Sequence, residues 1–177
     1  MSQYFDLSIR RIEIKKPKRD LKPVVKLQDE VNKTLLHDEY YYPTDERTIQ
    51  ECLDGDYILL GVYSKDKLIA ASFAFEGGLF FSKPITDWME IPGNKIMCHE
   101  FVVVDMEYRG NGIQKRFMDA TIREARQMGY DTIWCCAHPN NTPSVCSIES
   151  TGYKFADQFV VDGWPRNVYY RSTSIQR

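Results

Sequence analysis

The sequence contains no long hydrophobic run. No apolar stretch approaches the roughly 20 residues that a membrane-spanning helix needs. The first residues, 1–6, also lack the charged and apolar regions of a secretory signal peptide. These two absences predict a cytoplasmic protein without a membrane partner.

An excess of either charge is also missing. The chain has 23 basic and 25 acidic residues and a formal net charge of −2, so it has no general attraction for nucleic acid or an anionic membrane. A basic run at 10–19 is interrupted by Ile12, Glu13 and Ile14 in the alternation of a strand. We interpret this run as a first strand and a solvated turn rather than a polyanion contact. We therefore expect no nucleic-acid partner, and a monomer or a homodimer.

Paired cysteines are absent as well. The chain has 5 cysteines, an odd number without a Cys-x-x-Cys spacing, which is typical of reduced thiols rather than a disulfide framework or a zinc site. The nearest approach to a metal-ligand cluster is Cys98 beside His99, and Cys135 and Cys136 near His138. Because adjacent residues on a strand point to opposite faces, we expect no bound metal.

The apolar pattern predicts a single domain, 1–177. The chain has 177 residues, of which 43% are hydrophobic, and no flexible linker or internal repeat divides it. Periodicity predicts the order β-α-α-β-β-β-α-β-α-β. The elements expected before residue 77 are a strand at 8–14, a helix from near 20 to 35, a shorter helix between Thr44 and Gly55, and strands at 57–63 and 67–75 joined by a turn at 64–66.

Residues 77–95 form the longest connection that the sequence predicts. They contain two prolines, Trp88 and a Gly77-Gly78 pair, and they show neither strand nor helix periodicity. A connection of this length is usually a pocket wall or an interface flap.

The most informative stretch of the chain lies between Val102 and Gly129. A β-branched run at 102–104 is followed by Arg109-Gly-Asn-Gly112, and apolar residues then recur at helical spacing over 113–128. Glycines in the turn let backbone N–H groups converge, and the positive end of the helix dipole adds to their field, which suits a diphosphate. A turn without a ligand is the alternative. The glycine spacing excludes a Walker loop and a dinucleotide fingerprint.

A second element follows that helix. Residues 131–137 are rich in β-branched and aromatic types and predict a strand, and the Pro and Asn residues of 138–143 predict a loop. A short helix is expected from Ser144, ending at Gly152-Tyr153. Terminal strands are expected at 159–161 and 168–171.

Together these two elements resemble the cofactor site of the GNAT superfamily of acyl-CoA-dependent N-acyltransferases. The family's pyrophosphate loop, Gln/Arg-x-x-Gly-x-Gly/Ala, is similar to Arg109-Gly110-Asn111-Gly112-Ile113, although Gln114 stands where the family prefers Gly or Ala. The family's second element is similar to the segment that holds Asn141, Ser144, Gly152 and Tyr153. Ile148 replaces the family's usual tyrosine, four residues before the glycine. The resemblance covers roughly residues 98–155 directly.

The resemblance implies a fold class and a donor. The implied class is α/β (α+β), a single-domain GNAT-like fold with a mixed, mostly antiparallel sheet of six to seven strands, four helices and a splayed strand pair at the acyl-CoA site. The implied cofactor is acetyl-CoA, which is released as coenzyme A. The residues implied in binding it are the backbone of Phe101, Val102, Val103 and Val104, the turn formed by Arg109, Gly110, Asn111, Gly112, Ile113 and Gln114, and the residues Asn141 and Ser144.

The implied function is transfer of an acetyl group from acetyl-CoA to the amine of a small-molecule acceptor. The alternative is a catalytically silent GNAT-like module that binds acyl-CoA as a sensor or scaffold, and Ile148 and Gln114 favour it. A nucleotide-binding domain is a weaker third interpretation. Loss of the tyrosine need not abolish transfer, because a thiol with a pKa of about 8.5 leaves readily as its anion.

Glu100 and His99 are the candidate catalytic residues. Glu100 interrupts an apolar strand, and simple alternation places it on the face of Val102 and Val104, with His99 opposite. A carboxylate in a half-apolar cleft has a raised pKa, which suits removal of a proton from the amine, directly or through water. His99 is the second candidate for the base. The structural alternative is that Glu100 pairs with a Lys or Arg.

The acceptor site is the least defined part of the sequence. The resemblance points to the connection between the first two helices and to residues 77–95. His37-Asp-Glu-Tyr-Tyr-Tyr42 offers acids and aromatic rings that suit an ammonium group. Three consecutive tyrosines equally suit packing, and the acceptor is not identified by the sequence.

Overall fold

Outside residues 77–95, the strands and helices follow the order that the sequence predicts. In the computed structural model, the residues described are 8–11, 22–35, 37–55, 57–76, 79–80, 83–87, 89–93 and 95–174. The α-helices are α1 (Lys22–Asn32), α2 (Glu46–Asp54), α3 (Ile113–Gln127) and α4 (Thr142–Ser150). The strands are β1 (Ser8–Arg11), β2 (Ile58–Ser64), β3 (Lys67–Glu76), β4 (Leu79–Phe80), β5 (Lys83–Pro84), β6 (Ile96–Val104), β7 (Thr132–Ala137), β8 (Lys154–Val161) and β9 (Trp164–Ser172).

Seven of these strands form one sheet in the order β1-β2-β3-β6-β7-β9-β8. Neighbouring strands are antiparallel except β6 and β7, which run parallel because α3 carries the chain from the end of β6 back to the start of β7. The predicted fold class, a mixed and mostly antiparallel sheet with four helices, is confirmed. The strands β4 and β5 pair separately from this sheet.

The sheet separates two apolar cores. On the α3 face, α3 packs against β2, β3 and β6 around the fully buried Phe117. On the α1 face, α1 packs against β3 and β6 and α2 packs against β3. There the rings of Phe73 and Phe101 stack with their centroids 4.7 Å apart. Alternate residues of β3 and β6 therefore contribute to opposite cores.

Helix α1 is shorter than its apolar pattern predicts. The pattern continues to Leu35, but the helix ends at Asn32, and the Thr34 N–H donates to the carbonyl of Val31 at 3.0 Å to close a turn. The predicted start near residues 20–21 lies outside the described residues. None of the helices in the described ranges is long and apolar enough to cross a membrane.

Helices α2 and α4 are fixed by their first turns. The Asp45 side chain caps α2 by accepting from the Thr48 N–H at 3.0 Å. Helix α4 begins at Thr142, before the predicted start at Ser144, and includes Pro143 in its first turn. A proline fits there because the first N–H groups of a helix have no helical partner.

The terminal hairpin is longer than predicted. The sequence predicts strands at 159–161 and 168–171, whereas β8 and β9 span 154–161 and 164–172. β8 is an edge strand with most of its residues exposed, including Phe155 and Val160. It therefore lacks the apolar alternation that marks a half-buried strand.

The long connection at 77–95 contains a short pair of strands. The strands β4 and β5 form a short antiparallel hairpin within it, so the prediction of an irregular segment is wrong for this part. Ile85 and Ile91 are buried with Trp134 in a third apolar cluster. Gly77, Gly78 and Trp88 lie outside the described residues.

The Phe73–Phe101 stack provides a test of the α1-face core. Phe73→Ala removes a side chain that is 1% exposed, and we expect it to lower the free energy of unfolding by about 3–5 kcal/mol in urea titrations. The control is Phe155→Ala, which changes a ring that is 55% exposed and should cost under about 1 kcal/mol. Equal losses in the two variants would contradict this packing.

Candidate active site

The sheet opens between β6 and β7. Their parallel pairing ends at Cys98 and Trp134, although β6 continues to Val104 and β7 to Ala137. Beyond the last pair the two strands no longer bond to each other, so backbone groups on their facing edges are available to a ligand. The predicted splayed strand pair is confirmed.

A cleft of about 610 Å³ occupies this opening. It is bounded by the two strands, the first turns of α3 and α4, and the segment after α1. The predicted site residues that line it are His99, Glu100, Val102, Val103, Val104, Arg109, Gly110, Gly112, Ile113, Gln114, Asn141 and Ser144. Phe101 is instead buried in the α1-face core, and Asn111 folds back onto its own turn.

The turn before α3 has the backbone of an anion site. Gly110 and Gly112 have φ angles of 79° and 66°, in the left-handed region that favours glycine, and a Cβ at either would meet nothing within 4 Å. Gly112 is the N-cap of α3 and offers no side-chain cap, so the N–H groups of the first turn remain available. The Asn111 amide stabilises the turn by donating to the Tyr108 carbonyl at 2.9 Å. Open space before free amides fits a diphosphate.

Gln114 leaves this space open. Its Nε2 donates to Ser144 Oγ at 2.9 Å, so the side chain is directed towards the start of α4. Arg109 lies along the same rim, where its guanidinium donates to the Val104 carbonyl and the Thr34 hydroxyl, each at 3.3 Å. The departure from the family pattern at Gln114 is therefore compatible with phosphates over the turn.

The start of α4 forms the opposite wall of the cleft. Asn141 is the N-cap of α4, but its side chain does not cap the helix and donates to the Tyr40 carbonyl at 3.4 Å. Ile148 is buried in the α3-face core and also lines the cleft. The position of the family's tyrosine is thus occupied by an apolar side chain without a proton to donate.

Glu100 lies at a β-bulge. Phe73 is opposite Phe101, and Ala74 is opposite His99, so Glu100 is the extra residue of β6. The bulge interrupts the alternation that the sequence suggests. Glu100 therefore does not share the face of Val102 and instead lies on the α1 face, where its carboxylate accepts a hydrogen bond from the Cys98 thiol at 3.4 Å.

The environment of Glu100 raises the pKa of its carboxyl group above the ordinary value. Solvent reaches the side chain through the cleft, but the protein surrounds the carboxylate on most sides, and this burial raises its pKa. The Cys98 hydrogen bond acts in the opposite direction. Glu100 in turn contributes to the raised pKa of the Tyr41 hydroxyl. No ion pair joins Glu100 to a Lys or Arg among the described residues.

His99 lies on the α3 face of the same strand. Its Nε2 is 2.6 Å from Ser72 Oγ, and its Nδ1 has no hydrogen-bond partner among the described residues. Burial lowers the pKa of His99 to about 4, so the imidazole is neutral at pH 7 and is a weak base. This environment favours Glu100 over His99 for removing a proton.

A strap formed by residues 37–42 crosses the α1-face side of the opening. The Tyr40 ring lies against His138, with centroids 5.2 Å apart. The Tyr41 hydroxyl donates to Gln28 Oε1 at 2.6 Å, which fixes this ring beside the cleft. The Tyr42 hydroxyl donates to Asp162 Oδ2 at 3.0 Å, and this bond connects the strap to the β8–β9 turn.

The sequence suggests Cys136 only as a candidate metal ligand. In the structure, Cys136 lines the cleft. Cys135 is buried in the α3-face core, so the two thiols point to opposite faces as predicted. The surrounding protein and the charge of Glu100 both raise the pKa of the Cys136 thiol, although the cleft leaves this residue exposed. Within the described ranges, no group of three or more His, Cys, Asp and Glu side chains is arranged to hold a metal ion.

The chain belongs to the acetyltransferase (GNAT) family, whose model matches residues 25–153. The splayed strands and the glycine turn before α3 are the structural features that the family resemblance implies. No curated protein matches the sequence of this chain. Acetyl-CoA is the cofactor expected for a member of this family, and the open turn and free helix amides fit its diphosphate.

Solved structures share this fold at low sequence identity. The ribosomal-protein-S18-alanine N-acetyltransferase from Escherichia coli is 15% identical, with a TM-score of 0.67 over 97% of this chain and 96% of its own. An N-acetyltransferase from Staphylococcus aureus Mu50 is 16% identical, with a TM-score of 0.71 over 96% and 99%. The structure of yncA from Salmonella typhimurium with its cofactor acetyl-CoA is 14% identical, with a TM-score of 0.69 over 95% and 94%.

Gly112 provides a test of the anion site. Gly112→Val places a branched side chain before the free amides, so we expect acetyl-CoA affinity, measured by calorimetry, to fall by about tenfold or more. The control is Gly129→Val, because Gly129 also has a positive φ and open space around it. Both variants should lose a similar amount of stability. Unchanged affinity in Gly112→Val would place the diphosphate elsewhere.

Proposed function

We propose that this protein is an N-acetyltransferase that transfers the acetyl group of acetyl-CoA to the amine of a small-molecule acceptor. The observation that carries the proposal is the single cleft that joins the glycine turn before α3 to Glu100. The glycine turn provides N–H donors for a diphosphate. Glu100 provides a base within the opening between β6 and β7. The strap supports a small acceptor, because its contacts with His138 and Asp162 close one side of the opening.

The donor is held by backbone groups. The first-turn amides of α3 bind the diphosphate, and the edges of β6 and β7 beyond Cys98 bind the pantetheine arm. Bound acetyl-CoA supplies an acyl group activated as a thioester. An amide of β6 at 101–104 stabilises the oxyanion that develops during transfer.

Glu100 removes the proton from the acceptor amine, directly or through a water molecule. The neutral amine adds to the thioester carbonyl, and the C=O electron pair moves to oxygen to give the oxyanion. The oxyanion then collapses as the C–S bond breaks and its electron pair leaves with sulfur, and the nitrogen loses its remaining extra proton to solvent. A thiolate with a conjugate-acid pKa of about 8.5 leaves without protonation, so the chain needs no tyrosine at Ile148. The proton taken by Glu100 passes to solvent or to the released thiolate.

Donor binding is the first test of this proposal. Acetyl-CoA should raise the melting temperature of the protein, whereas ATP and NAD should not, because the spacing of the turn at 109–114 suits neither nucleotide motif. At 100 times its dissociation constant the ligand should add about 2.7 kcal/mol to stability. No shift with millimolar acetyl-CoA would overturn the donor assignment.

The base is tested by Glu100→Gln. With an acceptor amine in hand, this variant should retain acetyl-CoA affinity but lose about 10²-fold or more in kcat near neutral pH. The control is Glu51→Gln, which alters an exposed carboxylate on α2 that pairs with Arg47. Full activity of Glu100→Gln at pH 7 would exclude the base role.

The pH profile provides a further readout for the same variant. Because burial raises the pKa of Glu100, the activity of the unaltered protein should fall, as the pH is lowered, at a higher pH than an ordinary glutamate would give. In Glu100→Gln this limb should be absent, and the activity deficit should narrow at high pH, where the amine deprotonates in solvent. Acetyl-CoA binding without transfer to any amine would indicate a sensor or scaffold instead.

A further inference from the structure

Arg166 is a buried guanidinium without a close acidic partner among the residues that the structure describes. It lies on β9 and is 5% exposed. Its Nη1 donates a hydrogen bond to the carbonyl of Pro165 at 3.2 Å. Within the described ranges, no carboxylate oxygen lies within the 4.0 Å of an ion pair. A guanidinium has five N–H donors, and burying it without an anion is costly.

Arg166 lies on the same face of the sheet as Glu100. β9 pairs with β7 so that Val168 is opposite Cys136, and Arg166, two residues earlier, has the same orientation as Val168. Val168 is buried with Cys98, beside which Glu100 lies. The Cys136 thiol lines the cleft and is affected by the charges of both Glu100 and Arg166. The carboxylate and the guanidinium therefore lie on either side of Cys136.

The strap is the other boundary of this region. Glu39 is close enough to raise the pKa of Arg166, although burial lowers it by more. Glu39 itself is 3.4 Å from His37 Nδ1. The Tyr40 ring packs on His138, whose pKa Arg166 helps to lower. Arg166 thus lies near the strap and beside Cys136, and Cys136 in turn lines the cleft.

We propose that the acceptor is a small amine that also carries a carboxylate, which Arg166 binds while the amine is presented to Glu100. This inference rests on the proposed function and names its substrate class. A carboxylate matches the planar fork of a guanidinium and forms two parallel hydrogen bonds with it. Binding would neutralise a buried charge, and the same contact would direct the amine to the opposite side of Cys136. An amine without an acidic group leaves Arg166 unpaired and is therefore a poorer substrate.

The test is a panel of acceptor pairs, and the two members of each pair differ only in a carboxylate that is replaced by a carboxamide. The panel comprises glycine, β-alanine, 4-aminobutyrate, 6-aminohexanoate, leucine, phenylalanine and glutamate, each beside its carboxamide. Free thiol released from acetyl-CoA gives the rate, and mass spectrometry confirms the N-acetyl product. For at least one pair we expect kcat/KM to be about tenfold or more higher for the acid, the range for a hydrogen-bonded charge pair.

Variants of Arg166 separate carboxylate binding from a structural role. In Arg166→Met the acid-to-amide ratio of kcat/KM should fall about tenfold or more, mainly through KM, and in Arg166→Lys it should fall less because the charge is retained. Arg47→Met is the matched control on the surface of α2 and should leave the ratio unchanged. If Arg166→Met does not fold, Arg166→Lys carries the same comparison.

Each outcome decides the inference separately from the proposed function. A melting-temperature shift with acetyl-CoA, together with equal turnover of acids and amides or turnover of amides alone, would overturn the carboxylate site but keep the N-acetyltransferase. A ratio that is unchanged in both Arg166 variants would also overturn it, as would the absence of turnover for every acid of the panel. No shift with acetyl-CoA would instead overturn the proposed function.

Discussion

The parting of β6 from β7 after Cys98 is the constraint on which the site depends. A sheet normally pairs every backbone group of an interior strand, and here two interior strands stop pairing while both continue. The unpaired edges must be satisfied by something other than each other. Helices α3 and α4 begin at this opening, and their first turns line it. The break in the sheet therefore creates the cleft and directs the positive ends of two helices towards it.

The bulge at Glu100 determines on which face of the sheet the His99 and Glu100 side chains lie. Without the extra residue, alternation would place Glu100 on the α3 face and His99 on the α1 face. With it, His99 lies with Ser72 on the α3 face, and Glu100 lies with Cys98 on the α1 face. The glycine turn and the first turn of α3, which we propose for acetyl-CoA, are on the α3 face. The strap is near the α1 face. A single inserted residue thus places the carboxylate on the side of the sheet that we propose for the acceptor.

Features with local causes could be predicted from the sequence, and features set by strand pairing could not. The glycine turn before α3 and the cap at Asp45 follow from φ angles and side-chain acceptors a few residues away. The bulge depends on the register between β3 and β6, and the importance of Arg166 depends on its position beside Cys136. The β4–β5 hairpin was missed for a related reason, since its two-residue strands are too short to show alternation.

The cleft keeps several polar groups short of hydrogen-bond partners, and this has a common consequence for stability and binding. Among the residues that the structure describes, His99 Nδ1 has no partner and the Arg166 side chain donates only to the Pro165 carbonyl. The first-turn amides of α3 lack a side-chain cap. A buried polar group without a partner, such as His99 Nδ1, lowers the stability of the protein without ligand. The two apolar cores on either side of the sheet offset that cost. A ligand that forms hydrogen bonds with these polar groups gains interactions that the folded protein lacks without it. The same residues that lower the stability of the fold therefore determine which ligand binds.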